Sequence, residues 1–185
     1  MTEFHHLPSG LPAPQNDGAC RHLTGLRWPS LELVGTDGTH YDLSAFPGRT
    51  VLYVYPMTAR PDVALPDDWD MIPGARGCTP QSCAFRDHHA ELEAAGARVF
   101  GLSVQSSEYQ REAAVRLHLP FALLSDAELR LATALNLPTF EAGGQTLLRR
   151  VTLILNGGVI EHVFYPVFPP DQNASQVLQW LATHP

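Results

Sequence analysis

Two of the chain's three cysteines stand five positions apart in GARGCTPQSCAFRD, residues 74 to 87. Cysteines so spaced serve as metal ligands, as small apolar fillers or as a redox pair. Pro80 lacks a backbone N–H and fits a helix only in its first turn, so Cys78 is expected at or just before a helix N-terminus. Unpaired N–H groups and the helix dipole there favour a thiolate over a thiol, and Arg76 adds positive charge two residues away. Cys78 is thus the expected nucleophile. Cys83 falls inside the helix, where there is less reason to ionise. On an ideal helix, residues five apart have Cα atoms separated by roughly 8 to 9 Å, beyond the limit of about 7 Å for a disulfide. A bridge between the two requires the first turn to unwind, which Pro80 eases by removing a hydrogen bond and biasing Thr79 away from helical backbone.

The other readings stay open on spacing alone. A zinc site could draw on Cys78, Cys83, His88 and His89, although structural zinc sites use C-x2-4-C with separated later ligands. Two buried, inert cysteines are the second alternative, because free cysteine is among the most buried residue types. His88 and His89 otherwise mark a helix surface and its edge. Cys20 has no partner in sequence and reads as a bystander.

The elements that must position these residues follow from pattern. Residues 1–28 carry several prolines and glycines without a hydrophobic period and read as an arm lying over the domain. LELVGTDGTHYDLSAF predicts two short strands around a turn at Thr36-Asp37-Gly38. TVLYVYP has the β-branched and aromatic character of a buried central strand, closed by Pro56. Residues 57–76 form a long loop. A helix is expected from Pro80 to Ala95, stopping at Gly96, with Phe85, His89 and Leu92 on one face. ARVFGLSV and PFALLS are further strands. Ser107 with Gln110, and Ser125 with Glu128, are candidate capping boxes for two more helices. A Gly-Gly turn within PTFEAGGQTLLRRVTLIL, a hairpin through Asn-Gly-Gly, and a last helix from about Asp171 complete the chain. The pattern gives an α/β fold with a mixed sheet covered on both faces.

Composition bounds the function. The 185 residues suit one domain with a substantial core, and 44% hydrophobic with 17% charged residues is ordinary for a folded protein. A net charge of −7 disfavours nucleic acid and anionic membrane surfaces as partners. No leader-like segment and no 18-residue apolar run occur, so the expected location is cytoplasmic.

Taken together, TVLYVYP, GCTPQSCAFRD, VFGLSVQSS, LPFALLSD and RVTLIL resemble the peroxiredoxins in order and spacing, in particular the bacterioferritin-comigratory or Q subgroup. The resemblance covers roughly residues 30 to 184, within a domain of 29–185. It implies a thioredoxin-like fold with an N-terminal β-hairpin, thiol-dependent reduction of hydrogen peroxide and organic hydroperoxides, and no metal or organic cofactor. It further implies regeneration by thioredoxin or a similar dithiol protein. Carried over by position, Cys78 matches the peroxidatic cysteine, Cys83 the resolving one, and Arg150 the arginine facing the thiolate. Adjacent strand residues point to opposite faces, so only one of Arg149 and Arg150 reaches the site. The oligomeric state stays open between monomer and dimer.

The chain also departs from the family. The pattern Pro-x-x-x-Thr-x-x-Cys would place proline at 71 and threonine at 75, where this sequence has Met71 and Ala75. Pro56 is retained, so residues 57–76 read as an insertion. Thr58, Thr79, or backbone N–H groups with Arg76 and Arg150 are candidates to replace the missing hydroxyl. The apolar members of the insertion suggest a lid in which Trp69 and Ile72 pack beside Cys78; the alternative is an insertion packed for stability alone. Rival functions are a disulfide oxidoreductase or thiol redox sensor, and a non-enzymatic metal-binding or interaction module.

Overall fold

The computed structural model describes residues 7 to 185. Its centre is a seven-stranded sheet in the order β2-β1-β5-β4-β3-β8-β9. The strands are β1 (Glu32–Gly35), β2 (His40–Asp42), β3 (Arg49–Val54), β4 (Ala97–Ser103), β5 (Leu123–Ser125), β8 (Val151–Asn156) and β9 (Val159–Phe164). A separate hairpin pairs β6 (Thr139–Ala142) with β7 (Gln145–Leu148) around Gly143-Gly144. β3 runs parallel to β4 and antiparallel to β8, so the sheet is mixed as expected. This is the thioredoxin-like architecture.

β3 shows why the sheet has two dry faces. Val51 through Tyr55 are fully buried, and alternation along a strand sends them in opposite directions. Val51, Tyr53 and Tyr55 pack with Phe85, Leu92, Ala174, Val177 and Leu181. These come from α1 (Cys78–Asp87), α2 (His89–Ala94) and α5 (Asn173–Thr183). Leu52 and Val54 face the other way, joining Leu131, Ala132 and Leu135 of α4 (Arg130–Leu135).

The N-terminal arm docks on that second face. Cys20, Leu23 and Trp28 are buried in its core. The arm's backbone pairs with the edge of β9, through Gly25 N–H to Ile160 O at 2.8 Å and Trp28 N–H to Gly158 O at 2.7 Å. The first six residues of the arm lie outside the described residues.

Several boundaries differ from the sequence reading. The helix expected over 80–95 begins at Cys78 and breaks at His88 into two. Pro80 is the third helical residue, still within the turn whose N–H groups have no intrahelical acceptor. The cap of α3 (Ser107–Arg116) is Ser106, whose hydroxyl accepts from Tyr109 N–H at 3.1 Å, not Ser107. Gln110 instead turns inward, donating to Gln105 O and Leu124 O. Ahead of α4 the capping group is Asp126, whose carboxylate accepts from Leu131 and Ala132 N–H. Ser125 is the last residue of β5 and takes no part.

Candidate active site

The last described turn before α1 is set by Gly77. Its φ of 108° is a conformation that side chains rarely adopt, and a Cβ there would sit 2.4 Å from Pro170 Cγ. No side chain caps the helix. Cys78 is therefore the first residue of a ten-residue helix, among the leading N–H groups that have no intrahelical acceptor. It is 6% exposed, packed among the aromatic residues of one sheet face.

Arg150 reaches it from the residue preceding β8. The side chain is 4% exposed, and its Nη2 donates to Cys78 Sγ at 3.2 Å. The same guanidinium donates to the carbonyls of Gly74, Ala75 and Arg76, at 3.3, 3.1 and 3.3 Å, and to Gln81 Oε1. Arginine thus ties the loop before the helix to the helix itself. Among the described residues no carboxylate lies within ion-pair distance of Arg150, as the recorded ion pairs all involve other cations. A buried charge without a counter-charge is costly, so the sulfur is the group against which this one acts.

Arg149 takes the other direction. It is exposed, 3.7 Å from Asp17 and bonded to Thr139 O. The two arginines diverge, but not by strand alternation, since both lie in the connection between Leu148 at the end of β7 and Val151 at the start of β8. Arg76 lines the cavity at Cys78 and pairs with Asp70 at 3.0 Å.

The cavity is small, about 20 Å³, with Met57, Leu65, Trp69, Arg76, Thr79 and Cys78 in its wall. Thr79 is buried there beside the sulfur's helix turn. Thr58 is not: its N–H and hydroxyl both donate to Gln105 Oε1, at 2.6 and 3.0 Å, and it does not line the cavity. Of the two lid residues expected from sequence, Trp69 is buried against Ala75 and Leu147 and borders the cavity. Ile72 turns to a different pocket, with Pro14, Phe140 and Tyr165. The lid expectation is met at one residue and not at the other.

Cys83 occupies the same helix in a different setting. It is half-buried and unbridged, and burial raises its thiol above the ordinary value, opposed by Arg86 and Arg116. Cys20 is buried, and burial with the nearby Asp17 charge pushes its thiol up to about 12. None of the three cysteines is in a disulfide. Cys78, Cys83, His88 and His89 do not converge: among the described residues no three His, Cys, Asp or Glu side chains group as a metal site. His88 and His89 pair instead with Glu91 and Glu93 on the helix surface.

Sequence reasoning missed the buried relay behind Arg150. Gln81 Nε2 donates to Asn173 Oδ1 at 3.0 Å, which also accepts from Thr152 Oγ at 2.7 Å. Gln81 carried a usable signal, since it stands three residues after Cys78 and shares its helix face. Asn173 carried none, as its contact with Gln81 spans 92 positions.

Comparison with known proteins identifies the family. Residues 13–178 match the Redoxin family model. Peroxiredoxin Q of Sedum lineare, a chloroplastic protein, is 32% identical over 97% of this chain and 90% of its own length. Peroxiredoxin Bcp of Escherichia coli is 30% identical over 84% of this chain and 93% of its own. The chain spans just under two thirds of the longer chloroplastic relatives of rice. The crystal structure of peroxidoxin BcpB from Mycobacterium tuberculosis superposes with a TM-score of 0.70 at 26% identity, covering 86% of this chain and 96% of that one. With a family model spanning most of its length and these relatives beside it, the chain belongs to the redoxin family and, within it, to the Q/Bcp peroxiredoxins, which are thiol-dependent peroxidases.

Proposed function

We propose that Cys78 carries the peroxidase reaction and that Cys83 resolves it through an intramolecular disulfide. The Cys78 thiolate attacks one oxygen of a hydroperoxide in line; the S–O bond forms as the O–O bond breaks, and the departing alkoxide or hydroxide takes a proton. Arg150 and the free N–H groups of the first helical turn stabilise the charge developing on oxygen. Thr79, at the cavity wall, supplies the hydroxyl that Ala75 lacks. Cys83 then attacks the sulfenic sulfur, forming the disulfide and releasing water, and an external dithiol, thioredoxin or a similar protein, reduces the bridge. No metal or organic cofactor enters these steps.

The observation that carries this reading is the buried guanidinium 3.2 Å from Cys78 Sγ with no carboxylate beside it. The test is consumption of hydrogen peroxide with a generic dithiol, together with the metal content of the purified protein. Turnover by metal-free protein supports the reading, and a metal requirement contradicts it. The buried Ala75, in place of a threonine, favours a second reading, a disulfide oxidoreductase or redox sensor on the same scaffold. That reading gains if the disulfide exchanges with dithiols while peroxide is left untouched.

The reaction also bears on location. A disulfide that must be reduced in every cycle needs a reducing compartment. A cytoplasmic location is our proposal on that ground, and plant relatives show that another reducing compartment can serve, since theirs is named as the chloroplast.

A further inference from the structure

We propose that Leu7 and Pro14 of the N-terminal arm are positioning residues for the reaction at Cys78: they clamp the loop that joins the cysteine to its arginine. This inference rests on the peroxidase reading of Cys78. The loop is residues 74–77. The carbonyls of Gly74, Ala75 and Arg76 accept from Arg150, and Gly77 stands directly before the cysteine. Any shift of this loop therefore moves the sulfur relative to the guanidinium.

Glycine at both ends leaves the loop little stiffness of its own. Gly74 and Gly77 have φ of 78° and 108°, and glycine has the most backbone freedom to lose on ordering. At each of them the arm stands where a side chain would go. A Cβ on Gly77 would lie 2.8 Å from Leu7 Cδ2, besides its clash with Pro170, and one on Gly74 would lie 3.4 Å from Pro14 Cγ. Leu7 and Pro14 are partly buried, whereas Pro8, Ala13 and Gln15 beside them are exposed. The arm faces the loop with these two side chains.

The arm is fastened just beyond them. Asp17 accepts from the Tyr165 hydroxyl at 2.9 Å and lies 3.7 Å from Arg149, and Cys20, Leu23 and Trp28 hold the rest in the core. A bridge between Cys78 and Cys83 requires the first turn of α1 to open, and the contact of Leu7 with Gly77 belongs to the closed turn. Contacts made in one of two arrangements bias the equilibrium toward it. The clamp thus favours the arrangement that attacks peroxide and opposes the one that forms the disulfide.

Stopped-flow fluorescence, with Trp69 in the cavity wall as reporter, separates the first oxidation from disulfide formation. It would be run on the unsubstituted full chain, Leu7→Ala, the volume-conserving Leu7→Met and Leu33→Ala. The last opens a cavity at a buried position of β1, four strands away from the arm's place on β9, and controls for stability lost elsewhere. A fully buried methylene is worth roughly fourfold, and Leu7→Ala removes a partly buried isopropyl group, so the ratio of second to first rate should rise about tenfold. The rise should come from a slower first phase and a faster second. Leu7→Met should restore the ratio, and Leu33→Ala should leave it unshifted. Phases unchanged in Leu7→Ala, phases that slow or quicken together, or an equal shift in Leu33→Ala overturn the clamp. Hydrogen exchange reads the same contact without turnover: the peptide spanning residues 74–82 should exchange about threefold faster or more in Leu7→Ala, with β8 unchanged. Unchanged exchange in that peptide overturns the clamp. Quickened exchange in a protein that consumes no hydrogen peroxide instead overturns the peroxidase reading and leaves the clamp standing.

Discussion

The two cysteines of α1 sit on one ten-residue helix, yet almost every local force on them differs. Cys78 is the first helical residue, buried, beside free N–H groups and 3.2 Å from a buried guanidinium. Cys83 lies a turn and a half later, half-buried, its thiol raised by burial and opposed by the charges of Arg86 and Arg116, which also pair with Asp87 and Glu112. The contrast teaches that position along a helix, rather than residue type, sets the environment of a thiol, and in the proposed cycle it is this that divides attack from resolution. Both positions lie in one unbroken helical segment, so the disulfide of the proposed cycle requires that segment to open.

The largest break in this comparison is Cys78→Ser. It should abolish peroxide reduction, whereas Cys83→Ser should still complete one oxidation and then stall or over-oxidise; single-turnover fluorescence followed by intact mass separates the two outcomes. Next in size is Arg150→Ala, which should slow the first oxidation by on the order of 10², while Arg149→Ala changes it much less. Equal effects from the two would contradict the placement of Arg150 alone beside the sulfur.

A smaller effect is expected behind the arginine. Gln81→Ala leaves an Arg150 N–H without its side-chain acceptor in a buried site and removes one of two donors to Asn173 Oδ1, Thr152 remaining the other, costing about 1–3 kcal/mol in denaturant unfolding, and should slow the first oxidation less than Arg150→Ala does. The pH dependence sharpens the contrast. Because the Cys83 thiol is raised, its thiolate fraction is still climbing above neutral pH, so disulfide formation after the first oxidation should accelerate from pH 6 to 9. Stopped flow with excess peroxide reads that second phase directly. The smallest effect concerns Cys20, whose thiol is pushed up to about 12. It stays protonated at working pH, so Cys20→Ser should leave turnover nearly unchanged. The sign on stability is opposite: ionisation in the unfolded chain near the ordinary thiol value, without ionisation in the folded one, lowers stability as pH rises from about 9 toward 12. Removing Cys20 should flatten that alkaline loss in a denaturation series.

Much of this was legible because the informative signals are local. Pro80 and Gly77 bracket the helix start, and the central strand announces itself as a short apolar run. Arg150 stands out from Arg149 on the family resemblance; alternation supplies only that one of the two reaches the site, and both in fact lie between strands. The caps of α3 and α4 were misplaced by one residue because Ser106-Ser107 and Ser125-Asp126 offer two capping side chains in succession, and only the strand end fixes which is used. Thr58, one of the candidates for the missing hydroxyl, lies outside the cavity wall for a different reason. Its partner Gln105 is 47 positions away, and nothing in a single sequence says which of two threonines will meet the sulfur. The Gln81–Asn173–Thr152 relay is non-local in the same way. In the insertion, composition revealed the buried residues and Trp69 and Ile72 do share one apolar cluster, but it could not show that only Trp69 borders the cavity at Cys78 while Ile72 lines another.

The central claim, that environment at the helix start makes Cys78 the reacting thiol, is tested most directly by trapping the first oxidation product. The reduced full chain would be mixed with one equivalent of hydrogen peroxide in the presence of a sulfenic-acid-specific diketone, quenched within the first phase, and mapped by peptide mass spectrometry. The account predicts the adduct on Cys78, with Cys83 and Cys20 unmodified. An adduct found first on Cys83 would contradict it.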